Sequence, residues 1–112
     1  MQTTRIASAS PYEAAKHFGM TAMRLQGQGV TSCDDFWVGL STFAPGGGAE
    51  WSEGGGGKVY VVLEGRMTVV TKSGEVELGP MDSCYLAAGE GRSMENKHDE
   101  PSRLLVIASS GR

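Results

Sequence analysis

Two short runs, residues 58–63 (KVYVVL) and 66–71 (RMTVVT), flank Glu64-Gly65, and they constrain this chain more than any other feature. Both are rich in β-branched and aromatic residues, and neither is long enough for a stable helix. We read them as strands paired in a hairpin around Glu64-Gly65. The same pattern fills residues 36–107. Residues 36–43 form a run that Pro45-Gly46-Gly47-Gly48 stops, and Lys72-Ser73-Gly74 turns the chain into 75–78, whose alternation implies one wet face. Residues 82–86, 92–96 and 103–108 supply the remaining strands. Short strands with turn signals at this spacing predict an all-β sandwich or barrel. A double-sheet jelly roll removes the exposed edges of such sheets.

The first 30 residues read as a leader that decorates a barrel formed by 31–112. Ser10 is placed to cap a short helix, with Pro11 at its first position, Glu13 three residues after the cap, and Gly19 to end it. A first strand is expected over residues 20–26, with Met23 and Leu25 on one face. The run Gly54-Gly55-Gly56-Gly57 feeds a strand and not a helix N-terminus, so it reads as a loop at the barrel mouth rather than a phosphate cradle.

With 112 residues the chain closes one small core. Its formal charge of −3 lacks the basic footprint of a nucleic-acid binder. No stretch approaches the ~20 apolar residues of a membrane span, and the N-terminus has no apolar secretion core. A cytoplasmic location is the expectation. Cys33 and Cys84 are not at ligand spacing and are expected to be free, half-buried thiols.

Several residues in this pattern carry a resemblance to the cupins. Gly46 and Gly65 match the two ends of the first cupin motif, with Ser52 and Gly54, or Trp51 and Glu53 at the longer spacing, where its two histidines belong. Lys58 stands where its glutamate belongs. In the second motif, read onto 81–96, Gly89 and Asn96 are retained, Met81 and Ala87 replace Gly and Pro, and Arg92 takes the place of the last metal-binding His. The resemblance, over about residues 38–108, implies a cupin double-stranded β-helix, a jelly-roll barrel, behind a short leader helix or strand. Cupins commonly hold a divalent metal, but Lys and Arg are donor-only cations at neutral pH. No metal and no other cofactor is expected.

The cupin ligand positions face the barrel interior, so Lys58 and Arg92 are expected to point inward. Two buried cations require an anion between them. Glu50 and Glu53 are the nearest internal carboxylates; the alternative is an anionic ligand gripped by the Arg92 fork. Trp51, Trp37, Tyr60, Met94 and Met67 are candidate walls. His98, in a polar turn, and His17, on the leader, are assigned to the surface, with His17 a base only if the leader folds over the mouth. Two functions remain open: a module that binds a small polar or anionic molecule, such as a carboxylate or enolate, or a metal-independent isomerase, epimerase, lyase or decarboxylase. In the second, Glu50 or Glu53 moves the proton while Arg92 and Lys58 stabilise the enolate. A symmetric homodimer is expected, with residues 20–25 available to add a strand to a neighbour.

Overall fold

The computed structural model describes residues 1–110. After a single 3-10 turn, Ile6–Ser8, come the strands β1 (Ser10–Tyr12), β2 (His17–Gln26), β3 (Phe36–Ser52), β4 (Lys58–Glu64), β5 (Met67–Thr71), β6 (Gly74–Leu78), β7 (Ser83–Leu86), β8 (Arg92–Glu95) and β9 (Ser102–Ser109). They make an antiparallel, nearly closed jelly-roll barrel of two layers. One layer runs β1-β2-β3-β9-β4-β7, and the other runs β6-β5-β8 and ends on the second half of β3. No helix among the described residues is long and apolar enough to cross a membrane.

The glycine segment expected to end the third strand bends it instead. Residues 36–43 pair with β9, whereas Gly48, Ala49 and Ser52 pair with β8. A side chain at Gly48 would collide with the Met94 carbonyl, so glycine lets β3 pass from one layer into the other. One strand therefore frames both sides of the interior.

The expected hairpin of residues 58–71 does not form. β4 pairs with β7 and β9, while β5 pairs with β6 and β8. A tight hairpin wants left-handed backbone at both central residues, or glycine at the first. Here only Gly65, the second, has positive φ, +72°, and a Cβ there would stand 2.6 Å from Pro101 O. Glu64-Gly65 is thus the step from one layer to the other. The local hairpin is β5–β6, which turns at Lys72-Ser73.

Past the 3-10 turn, the helix expected from Ser10 does not form, and residues 10–12 and 17–26 are strands. β1 pairs with β2 from Ser10↔Arg24 to Tyr12↔Ala22, and β2 pairs with β3 of the same chain. A helix of two turns is marginal alone, whereas pairing satisfies the backbone and turns Tyr12 toward the interior. Between the strands, His17 N donates to Ala14 O at 3.3 Å, with Lys16 left-handed at φ 61°.

Phe43, Tyr60, Val62, Met67, Val69, Leu78, Met94 and Leu104 fill the space between the layers. Asn96, fully buried, donates to Phe43 O and Glu100 O and accepts from His98 N, so this motif residue secures the β8–β9 connection.

Candidate functional site

Strand alternation decides which side chains reach the interior. Lys58 and Tyr60 on β4, Trp37, Ser41 and Phe43 on β3, and Arg92 and Met94 on β8 open on a cavity of about 230 Å³. Tyr12, Ala14 and His17 of the leader close one side of it. The leader therefore does fold over the mouth, and it brings His17 to the interior rather than to the surface.

Arg92 is 6% exposed. Its Nε donates to Tyr60 Oη at 2.8 Å and its Nη1 to Glu50 O at 3.2 Å. Neither Arg92 nor Lys58 forms an ion pair with a carboxylate among the described residues. Burial, and then the nearby Arg92 charge, lowers the Lys58 pKa. Burial also raises Tyr60 above the ordinary phenol range, against the opposing pull of Arg92. Burial likewise raises Tyr12, offset by Arg24, whose guanidinium carbon sits 4.3 Å from the Tyr12 ring centre. Tyr12 meets Trp37 edge-on, with centroids 6.3 Å apart. Gly39 makes room for both rings: a Cβ there would lie 2.8 Å from Tyr12 Oη and 3.2 Å from Trp37.

Of the candidate walls, Trp37, Tyr60 and Met94 line the cavity, while Met67 is buried in the core. Trp51, 38% exposed, packs over Gly91 outside it and donates to Glu53 Oε2 at 3.2 Å. Glu53 also faces Lys72 at 3.6 Å. The Glu50 side chain is exposed, and only its backbone carbonyl reaches Arg92. Neither acid lines the cavity: Glu50 follows the core residue Ala49 and faces outward by alternation, and Glu53 lies past the end of β3. Sequence reasoning missed Tyr12 as a wall and assigned His17 outward. The β1–β2 pairing that turns Tyr12 inward has no strong signal in three residues beginning Ser-Pro.

Cys33 and Cys84 are free and half-buried, and burial pushes the Cys84 thiol up. His98 stands 2.6 Å from Glu77 Oε1 and holds that carboxyl below its usual range.

The motif positions do not fit a divalent metal. Ser52 lies opposite Arg92 in the β3–β8 pairing, Gly54 has no side chain, and Lys58 and Arg92 offer no lone pair at neutral pH. Among the described residues no group of three or more His, Cys, Asp or Glu is placed to hold an ion. What the cavity offers is a cationic edge, a neutral imidazole and tyrosine hydroxyls set in apolar walls.

Similarity to known proteins agrees with this architecture. The chain is 43% identical over 109 residues to beta-D-galactosidase Rv1717 of Mycobacterium tuberculosis, covering 97% of this chain and 94% of that one. Among solved structures, the polyketide cyclase RemF of Streptomyces resistomycificus superposes with TM-score 0.85 at 19% identity, over 98% of this chain and 80% of that one. A cupin-superfamily sugar phosphate isomerase of Silicibacter pomeroyi gives TM-score 0.77 at 25% identity, over 94% and 73%. The cupin domain family model matches residues 39–108, from near the start of β3 to near the end of β9, and the chain belongs to the cupin family.

Proposed function

We propose that the barrel holds a small polar or anionic organic molecule, of the sugar or sugar-acid class, without a metal. The observation that carries this is the pair Lys58 and Arg92, which open on one cavity with no carboxylate paired to either among the described residues. Arg92 is buried and Lys58 half-buried, and a bound anion offsets the cost of holding these like charges close together. Arg92 suits the role because Nε and Nη1 are already engaged, which holds the guanidinium plane fixed. Tyr12 and Trp37 supply apolar ring faces of the kind on which sugars and small acids pack. Two relatives carry sugar substrates in their names, a galactosidase and a sugar phosphate isomerase, which supports the sugar class.

A second reading, cleavage of a β-galactoside, is favoured by the 43% identity to the mycobacterial galactosidase. Glycosidases commonly use two carboxylates about 5–10 Å apart, and no Asp or Glu lines this cavity. Hydrolysis here would have to run through His17 and the tyrosines. We also propose a symmetric homodimer. Tyr85, Val59, Ile107 and Val38 are directly paired across β7, β4, β9 and β3, on the face turned away from the cavity. Tyr85 is 67% and Ile107 36% exposed, so this row suits a second copy.

The test is a thermal-shift panel of small carboxylates, sugars, sugar acids and phenols, with and without divalent ions, run beside a chromogenic β-galactoside. Metal-independent shifts with acids support the binding reading. Turnover of the galactoside that Arg92→Met abolishes supports the second. Shifts that require a divalent ion would overturn both metal-free readings.

A further inference from the structure

His17 reaches the cavity from the start of β2, whereas Lys58 and Arg92 come from β4 and β8. Its Nδ1 lies 2.7 Å from Ala15 O. A carbonyl only accepts, so Nδ1 carries the proton, and the neutral ring keeps its lone pair on Nε2. Among the described residues Nε2 has no hydrogen-bond partner. Phe43 packs beside the ring, with centroids 6.4 Å apart and planes inclined by 28°.

The ring stays neutral for identifiable reasons. Burial lowers its pKa, the Ala15 bond opposes this, and the Arg92 and Lys58 charges lower it further. Among the described residues the other titratable groups lining the same cavity are Tyr12 on β1 and Tyr60 on β4, and no acid is among them.

The cavity therefore has two unlike polar edges. Lys58 and Arg92 can only donate, while His17 Nε2 can only accept. A simple carboxylate satisfies the first edge and leaves the second unpaired, which costs affinity. A plain sugar satisfies the second and leaves the cations uncompensated. We infer that the cavity is built for a hydroxy acid, its acid group against Arg92 and Lys58 and a hydroxyl donating to Nε2 of His17. This rests on the anionic-ligand proposal above and adds to it the requirement for a hydroxyl donor.

Calorimetry at pH 7.5 with D-galactonate, hexanoate and D-galactose, on the wild type and His17→Phe, separates the two. Phenylalanine keeps a ring beside Phe43 and removes the acceptor. The wild type should bind galactonate about tenfold or more tightly than hexanoate, and His17→Phe should erase that advantage by weakening galactonate and tightening hexanoate, which then leaves no acceptor unpaired. Equal binding of the two acids by the wild type, or an advantage that survives in His17→Phe, overturns the inference and leaves the anion site standing. Binding of D-galactose with neither acid bound overturns the anion site as well. Should His17→Phe fail to fold, long-range ¹H–¹⁵N spectra of the wild type give the answer. An Nδ1-protonated ring whose Nε2 resonance moves with galactonate and not with hexanoate supports the inference. An Nε2-protonated ring, or a resonance that responds alike to both acids, overturns it.

Discussion

Replacing Arg92 by methionine should uncouple binding from stability. The side chain is almost wholly buried, and it donates to Tyr60 Oη at 2.8 Å and to Glu50 O at 3.2 Å. Losing those two charge-assisted contacts removes about 1.5–3 kcal/mol each. Against that loss stands the cost of holding a cation away from water with no paired carboxylate among the described residues and with Lys58 nearby, itself several kcal/mol. Methionine keeps much of the apolar stem, so packing changes little. The opposing contributions should cancel to within about 1–2 kcal/mol of the wild-type stability. Nothing offsets the loss for a bound anion, whose affinity should fall by about 1.5–3 kcal/mol, roughly ten- to hundredfold. Arg92→Lys, which keeps charge but not the fork, should fall between. Calorimetry with the acid giving the largest thermal shift, alongside urea denaturation, measures both quantities. Wild-type affinity in both variants would refute the reasoning, as would a stability loss above about 4 kcal/mol, the signature of a residue needed chiefly for the fold.

Other consequences are as accessible. His17 is held below its ordinary pKa of 6.5, so the unfolded chain takes up that proton more readily than the folded one. Its contribution is complete above pH 6.5 and is lost as pH falls through that value toward the folded pKa, so the melting midpoint should drop between pH 7.5 and 5.5, and His17→Phe should flatten the slope; an unaltered slope would remove His17 from the account. Gly39→Ala should destabilise by about 1–3 kcal/mol in urea, because its Cβ would press on Tyr12 and Trp37; unchanged stability would mean that those rings move freely. Light scattering should give about twice the 11.8 kDa chain mass, and Ile107→Glu should halve it. A wild-type mass of one chain across a dilution series would rule the dimer out. Elemental analysis of protein purified without a metal-affinity tag should find no stoichiometric transition metal, and one ion per chain surviving chelator washes would contradict the donor chemistry of the motif positions.

Much of the barrel was legible because strands announce themselves locally. β-Branched runs, turn glycines and period-two alternation depend on neighbours in sequence, so the existence of β4 to β9, and the sharing of one face by Lys58 and Tyr60 and of another by Arg92 and Met94, followed from residues a few positions apart, while that these faces turn inward was implied by the cupin resemblance. The degenerate motif positions also spoke for themselves, since protonated Lys and Arg side chains are donors with no lone pair for a metal.

Partner choice was not legible. A strand has two equivalent hydrogen-bonding edges, and nothing within residues 58–71 says that β4 turns to β9 and β7 while β5 turns to β8 and β6. The leader failed for a related reason: Ser10, Pro11 and Glu13 are sound capping residues, but a marginal helix loses to a sheet edge lying some 10 residues further along the chain. The same competition decided the site. Strand pattern and turn residues determined an all-β sandwich or barrel, and the motif resemblance added the inward direction of its two cations. Only the tertiary structure, by pairing β1 with β2 and β2 with β3, brought Tyr12 and His17 to those cations and left Glu50 and Glu53 outside, because which side chains meet is set by long-range register that no local sequence preference encodes.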